Sequence, residues 1–251
     1  MSLSIIEANP TEKLVVLTLN YLNVSEFFCD TIQGENFVGW PAAFLRLQHC
    51  TLSCNWCDTS EVWHYGNPYT FNQLFDLMEE ADLIRKFKEG QILVVTGGSP
   101  LRQQTKLIKF FEAFLKKYDF FPYTEIENEC TIMPDSELYL YINRWNNSPK
   151  LRNSGNADWK RYQPEILKQM SSLDNSWFKF VILGEYDWQE IKHDFLDPGY
   201  IRKDQIVLMP EGATRVELEM HRKKVVEIAI RENVRYCSRE HVVLWDRKTG
   251  V

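Results

Sequence analysis

Cys50, Cys54 and Cys57 stand in the stretch C-T-L-S-C-N-W-C, three thiols spaced CxxxCxxC within eight residues. A loop this short can wrap three thiolates around one corner of an iron–sulfur cube. The fourth iron then has no protein ligand. Four-cysteine ferredoxin sites close every position and pass electrons on. A three-cysteine site leaves an iron that a small molecule can bind, and on which it can be reduced. Two other readings stand beside this one. Zinc takes CxxC pairs and needs a fourth ligand, for which His49 and His64 are the nearest candidates. Three separately buried cysteines would not need this spacing.

The remaining cysteines, Cys29, Cys130 and Cys237, are scattered along the chain. Scattered thiols stay free in a reducing compartment, and a triplet this tight suits metal better than disulfides. Of 251 residues, 44% are apolar and 25% charged, as in an ordinary globular protein. Net charge is −6 with no long basic run, which argues against nucleic acid as a direct partner. No apolar stretch approaches the roughly 18–20 residues of a membrane span. The start, MSLSIIEANPTEKL, lacks the basic head and apolar core of a signal peptide. The expected location is the cytoplasm.

Apolar runs of strand type alternate with helical patterns. Residues 42–48 (AAFLRLQ) read as a strand that runs into the cysteine loop. Residues 91–98 (QILVVTGG), 123–129, 137–145, 177–184 and 205–212 read as five more. Residues 70–84, 101–118, 163–170, the DWQEIKHDF stretch and residues 214–232 read as helices between them. NVRYC and HVVLWD in the tail read as strand-like pieces. Alternation of this kind implies a parallel sheet with right-handed crossovers. Six strands are too few for a closed eightfold barrel, so the expected fold is α/β, an open partial barrel formed by residues 1–251 as a single domain. Active residues of parallel folds gather at the carboxyl ends of the strands. The cysteine loop, Thr96-Gly97-Gly98, Glu127, Asn147-Ser148-Pro149-Lys150 and Pro210-Glu211-Gly212 all follow strand ends, and are expected on one rim.

The triplet, with Trp56 between its last two cysteines, resembles the radical S-adenosylmethionine (SAM) superfamily. Thr96-Gly97-Gly98-Ser99-Pro100 resembles that superfamily's GGEP motif, with Ser99 where the acid usually stands. A narrower resemblance begins upstream. Residues 28–59, FCDTIQGENFVGWPAAFLRLQHCTLSCNWCDT, are similar to the 7-carboxy-7-deazaguanine synthase family, which shows S-I-Q-G-E-G, G-x-P-x-x-F-x-R-L and G-C-x-L-x-C-x-W-C-D-T. The similarity continues through TGGSP, IENECT (against I-E-T-N-G-T), NSPK, WFKFVI, MPEGAT and SREHVVLW.

The resemblance implies a (βα)6 radical SAM barrel carrying a [4Fe-4S] cluster on Cys50, Cys54 and Cys57. Cluster and SAM would generate a 5′-deoxyadenosyl radical that takes hydrogen from C6 of 6-carboxy-5,6,7,8-tetrahydropterin. Ring contraction and loss of ammonia would give 7-carboxy-7-deazaguanine, with Mg²⁺ held by the Thr59 hydroxyl. Ile32, Gln33 and Gly34 would bind the pterin through backbone and amide groups, Arg46 its carboxylate, and Thr96 its ring. Trp56, Cys57, Asp58, Gly98, Ser148, Pro149, Lys150 and Lys179 would line the SAM site, and Glu127 would help hold the SAM ammonium. The resemblance further implies an external one-electron donor such as flavodoxin, and a homodimer. Two readings of other kinds are a radical SAM activase acting on a glycyl-radical partner, and a non-catalytic metal-binding protein. The His241 tail segment is expected to fold back over the pocket.

Overall fold

A computed structural model describes residues 3–7, 20–248 and 250. Its described strands form one sheet in the order β1-β2-β3-β5-β6-β7-β8-β9-β10, with β4 attached to β2. The strands are β1 (Leu3–Ile6), β2 (Tyr21–Ile32), β3 (Pro41–Leu47), β4 (Asn67–Thr70), β5 (Ile92–Gly97), β6 (Thr124–Asn128), β7 (Arg144–Asn147), β8 (Ser176–Ile182), β9 (Ile206–Pro210) and β10 (Arg235–Tyr236). From β3 to β10 every neighbouring pair is parallel. The sheet is open, and β1, β2 and β4 extend it antiparallel. The six strands expected from sequence are therefore β3 and β5–β9, and the fold is the expected open partial barrel. The antiparallel extension lay outside the sequence reading. Its long strand β2 is buried on both faces and carries Ser25 and Glu26 inside, so it lacks the alternation that marks a half-buried strand.

The helices are α1 (Phe71–Glu80), α2 (Leu83–Lys88), α3 (Gln104–Tyr118), α4 (Asp158–Arg161), α5 (Pro164–Ser171), α6 (Glu185–Glu190), α7 (Arg215–Glu232) and α8 (Glu240–Trp245). Capping boxes at Thr70/Gln73 and Thr214/Glu217 start α1 and α7, each satisfying two otherwise orphaned backbone donors. Phe71, Phe75, Phe110, Phe111 and Phe114 bring α1 and α3 together in the apolar core. Full burial of one such ring contributes roughly 1.5–3 kcal/mol. Among the described residues no helix is long and apolar enough to cross a membrane.

Three sequence expectations are corrected. The helix expected over residues 70–84 is broken at Asp82, whose φ of 58° is left-handed. Residues 137–145 are not one strand: Ser136–Leu140 is a 3-10 turn and only Arg144–Asn147 joins the sheet. The E-L-Y-L-Y alternation imitates a strand, yet Leu138 is buried and Leu140 lies in solvent. HVVLWD belongs to helix α8 rather than a strand. Arg215 donates from Nε and a terminal nitrogen to the carbonyls of Val243 and Leu244, which satisfies carbonyls that the helix end leaves orphaned.

Candidate active site

The carboxyl ends of the parallel strands open into one cavity of about 480 Å³, within the roughly 300–1,000 Å³ typical of small-molecule sites. The cavity gathers the cysteine loop after β3, Thr96–Gly98 after β5, Glu127–Glu129 at β6, Ser148 and Lys150 after β7, Lys179 from β8 and Glu211–Ala213 after β9. Ile32, Gln33, Gly34, Arg46, Trp56, Asp58 and Thr59 line it too. Of the site residues expected from sequence, Pro149 alone is absent from the lining.

Close backbone approach makes this junction possible. A Cβ added at Gly98 would sit 2.3 Å from the His49 carbonyl oxygen and 2.6 Å from Cys50 Cβ. At Gly97, with φ +146°, it would meet the Leu47 carbonyl oxygen at 2.2 Å. Only glycines let β5 end this close to the cysteine loop.

Donors converge on the thiols. Asn156 Nδ2 lies 3.2 Å from Cys54 Sγ, and the Leu52 amide 3.4 Å from Cys50 Sγ. The Ser99 hydroxyl reaches Cys50 Sγ at 3.5 Å, and the Thr59 hydroxyl lies 3.9 Å from Cys57 Sγ. Hydrogen bonds to sulfur are one of the levers that set an iron–sulfur potential. Burial pushes the Cys50 and Cys57 thiols above their ordinary range, so metal binding would release their protons. Among the described residues no three His, Cys, Asp or Glu side chains converge on a single-ion position. Ligands of a cluster bind separate irons and stand further apart than ligands of one zinc. Neither His49 nor His64 lines the cavity. Three thiols, with hydrogen-bond donors at their sulfurs, are a donor set that fits a three-thiolate cluster.

Residues 146–163, opaque in sequence beyond the NSPK turn, back the cysteine loop. Asn156 Oδ1 accepts the Ser53 amide at 2.9 Å, the Ser154 carbonyl accepts the Asn55 amide at 3.0 Å, and Asn153 Oδ1 accepts Trp56 Nε1 at 3.3 Å. Lys150 donates to Ser148 Oγ at 2.8 Å and lies 5.6 Å from the Trp56 ring.

The opposite wall is an ordered polar array. Gln33 donates from Nε2 to Glu125 at 2.6 Å, accepts the Glu35 amide, and bonds Trp40 and Gly39 through its own backbone. Thr96 donates to Glu127 Oε2 at 2.6 Å. These expected pterin contacts therefore also hold the wall together. Burial, and then the charge of Glu127, push the Glu125 carboxyl up to about 8. Arg46 Nε lies 2.6 Å from Glu26 Oε2, which fixes the side chain at the cavity edge. Lys179 pairs with Glu35, and Arg239 with Asp58.

The tail crosses this wall, as the sequence suggested. The Glu240 amide donates to the Gly34 carbonyl at 2.7 Å, and Arg239 donates to the Gly212 carbonyl at 2.8 Å. His241 lines the cavity, and burial, then Arg239, bring its imidazole down to about 3. Glu35, Glu129, Asn156 and Arg239 are site residues that sequence reasoning did not assign. Their long-range partners carry no local signal.

The 4Fe-4S single cluster domain family matches residues 33–129. The chain is 26% identical over 246 residues to the 7-carboxy-7-deazaguanine synthase of Halobacterium salinarum, covering 90% of this chain and 91% of that one. It is 27% identical over 232 residues to the synthase of Pyrobaculum aerophilum, covering 91% and 97%. This chain is a relative of the 7-carboxy-7-deazaguanine synthases. The Aquifex aeolicus synthase is 29% identical over 204 residues, 80% of each chain. The crystal structure of QueE from Escherichia coli superposes with a TM-score of 0.62 at 19% identity, over 88% of this chain and 95% of that one, and shares its fold. These matches support reading the chain as a radical SAM enzyme of the lyase type, with a [4Fe-4S] cluster and SAM as cofactors.

Proposed function

We propose that the protein contracts the ring of 6-carboxy-5,6,7,8-tetrahydropterin to 7-carboxy-7-deazaguanine with loss of ammonia. What supports this reading most is Arg46, a strand-end guanidinium in the same cavity as the cysteine triplet. Glu26 engages its Nε, and its two terminal nitrogens carry no protein partner among the described residues. A planar fork matches a carboxylate, so Arg46 orients the pterin carboxylate across the cavity. Gln33, Gly34 and Thr96 border the ring on the facing wall, already fixed by Glu125, Glu127 and the tail. Pre-ordered walls hold the C6 hydrogen in place at little cost in entropy at the moment of reaction.

Cys50, Cys54 and Cys57 would hold the cluster, which would supply the electron for SAM cleavage. Ser148, Lys150, Asp58 and Gly98 border the SAM side, and Trp56 shields the loop from water. Thr59 offers a hydroxyl oxygen to Mg²⁺, an ion that takes hard oxygen ligands and few protein contacts. In this reading the chain acts as one radical SAM domain, a homodimer of the cytoplasm reduced by a flavodoxin-like donor.

The test is a comparison of pterin ligands on the reconstituted protein. The 6-carboxy form should bind at least about 10-fold more tightly than a 6-methyl form, as a charge-assisted pair requires. Arg46→Ala should remove that preference. Equal binding of both forms by the wild type would refute the substrate assignment.

A further inference from the structure

The resemblance of Thr96-Gly97-Gly98-Ser99-Pro100 to GGEP puts Ser99 where an acid would receive the amino group of SAM, and Ser99 is fully buried. Its hydroxyl is engaged elsewhere. It accepts the Thr51 amide at 2.9 Å, lies 3.0 Å from Thr51 Oγ1, and reaches Cys50 Sγ at 3.5 Å. Ser99 is not among the cavity-lining residues, so it does not replace the missing charge.

Thr51 Oγ1 also donates to Glu129 Oε1, at 3.1 Å. A single hydroxyl thus separates Ser99 from a carboxylate. Glu129 is 5% exposed and lines the cavity beside Cys50 and Gly98. Its two oxygens differ. Oε1 accepts from Thr51 and, at 2.6 Å, from the Thr131 hydroxyl. Oε2 is buried and has no hydrogen-bond partner among the described residues. A buried carboxylate oxygen without a donor is costly. Its position on a cavity wall means that a bound ligand can supply the donor.

A second charge completes the pattern. Lys150 lies on the same cavity, held by Ser148. Glu129 and Lys150 both act electrostatically on Cys50. An anion and a cation beside the same thiol suit the ammonium and carboxylate of an α-amino acid. The sequence agrees: IENECT carries Glu129 where the similar stretch I-E-T-N-G-T has Asn, so an acid gained at 129 accompanies the acid absent at 99.

We propose that Glu129 is the carboxylate that receives the α-ammonium group of SAM, taking the place of the acid absent at Ser99. This assignment rests on the SAM-dependent reading of the site. Oε1, held by Thr51 and Thr131, fixes the carboxylate, which leaves Oε2 without a protein donor among the described residues, a role for the ammonium to take. Because Thr51 follows Cys50 directly, the same carboxylate ties the ammonium site to the first cluster ligand.

The test is calorimetric titration of the anaerobically reconstituted protein with SAM, and with the analogue that bears hydrogen in place of the amino group. The wild type should bind SAM about 10- to 100-fold more tightly than the analogue, as expected for a charged hydrogen bond. Glu129→Gln should lose that factor for SAM and keep analogue affinity within about twofold, with iron content unchanged. A second variant pairs Ser99→Glu with Glu129→Asn and should restore the preference for SAM. Unchanged SAM affinity in Glu129→Gln, or equal losses for SAM and analogue, would overturn the assignment. So would a paired variant that takes up iron without the preference. A wild type that binds neither compound would instead overturn the SAM-dependent reading itself.

Discussion

Asn156 stands 102 residues from Cys54 in sequence and touches its sulfur. Replacing it with Ala removes three hydrogen bonds at once: Ser53 amide to Oδ1 at 2.9 Å, Nδ2 to Cys54 Sγ at 3.2 Å, and Nδ2 to Ser154 Oγ at 3.2 Å. Two of these tie the cysteine loop to the segment after β7. Together they contribute about 1–3 kcal/mol. In a chain of this size each kcal/mol is worth about 2–4 °C, so the melting temperature should fall by roughly 2–12 °C. The lost donor to Cys54 should also lower the cluster's reduction potential, because thiolate charge is no longer shared with the amide. Asn156→Asp separates the two effects: it keeps the acceptor for Ser53 but loses the donor and adds charge beside the sulfur. Melting followed by circular dichroism, iron and sulfide counts, and an EPR-monitored redox titration read all three quantities. An Asn156→Ala protein with unchanged melting temperature, iron content and midpoint would refute the view that this segment supports the cluster loop.

Three further outcomes follow from the geometry. Gly98→Ala places a methyl 2.3 Å from the His49 carbonyl oxygen, so the loop must shift; iron uptake should drop to less than about half, at a strain of roughly 1–3 kcal/mol, and full uptake would contradict the close approach. Glu125 has a folded pKa raised from 4.5 to about 8. Between these values the folded state binds more protons than the unfolded one, so stability is fully present below pH 4.5 and is lost as pH rises through 8. Glu125→Gln should flatten that decline, and parallel melting curves for both proteins at pH 5.5 and 8.5 would count against it. Gly34→Ala brings a methyl 3.0 Å from the His241 amide and Nδ1; hydrogen exchange in α8 should quicken while iron content stays constant, and unchanged exchange would show that the tail closes without this contact.

The sequence exposed those parts of the fold whose signals are local. The AAFLRLQ strand, the valine-rich β5 and the glycines after it each follow from a few neighbouring residues. The cysteine spacing did the same for the cluster. What stayed hidden depends on distant partners. Helix α8 looks like a strand because of Val242 and Val243, and it is stabilised by Arg215, 28 and 29 residues upstream of the carbonyls it binds. Glu129 reads as one more acid in IENECT until Thr51, 78 residues away, is seen to hold one oxygen and leave the other bare. Gln33 was legible as a site residue, but not its bond to buried Glu125, 92 residues on. Arg46 was legible as well, because an arginine inside an apolar strand beside a cysteine loop is already unusual.

We propose that this cavity turns a carboxypterin into a carboxydeazaguanine. The most direct measurement is anaerobic incubation of the reconstituted protein with reductant, SAM, Mg²⁺ and 6-carboxy-5,6,7,8-tetrahydropterin, followed by mass spectrometry of the products. A species with the mass of 7-carboxy-7-deazaguanine is expected, with equimolar ammonia, and neither product in Cys54→Ala. SAM cleavage by a fully loaded cluster with the pterin recovered intact would contradict it.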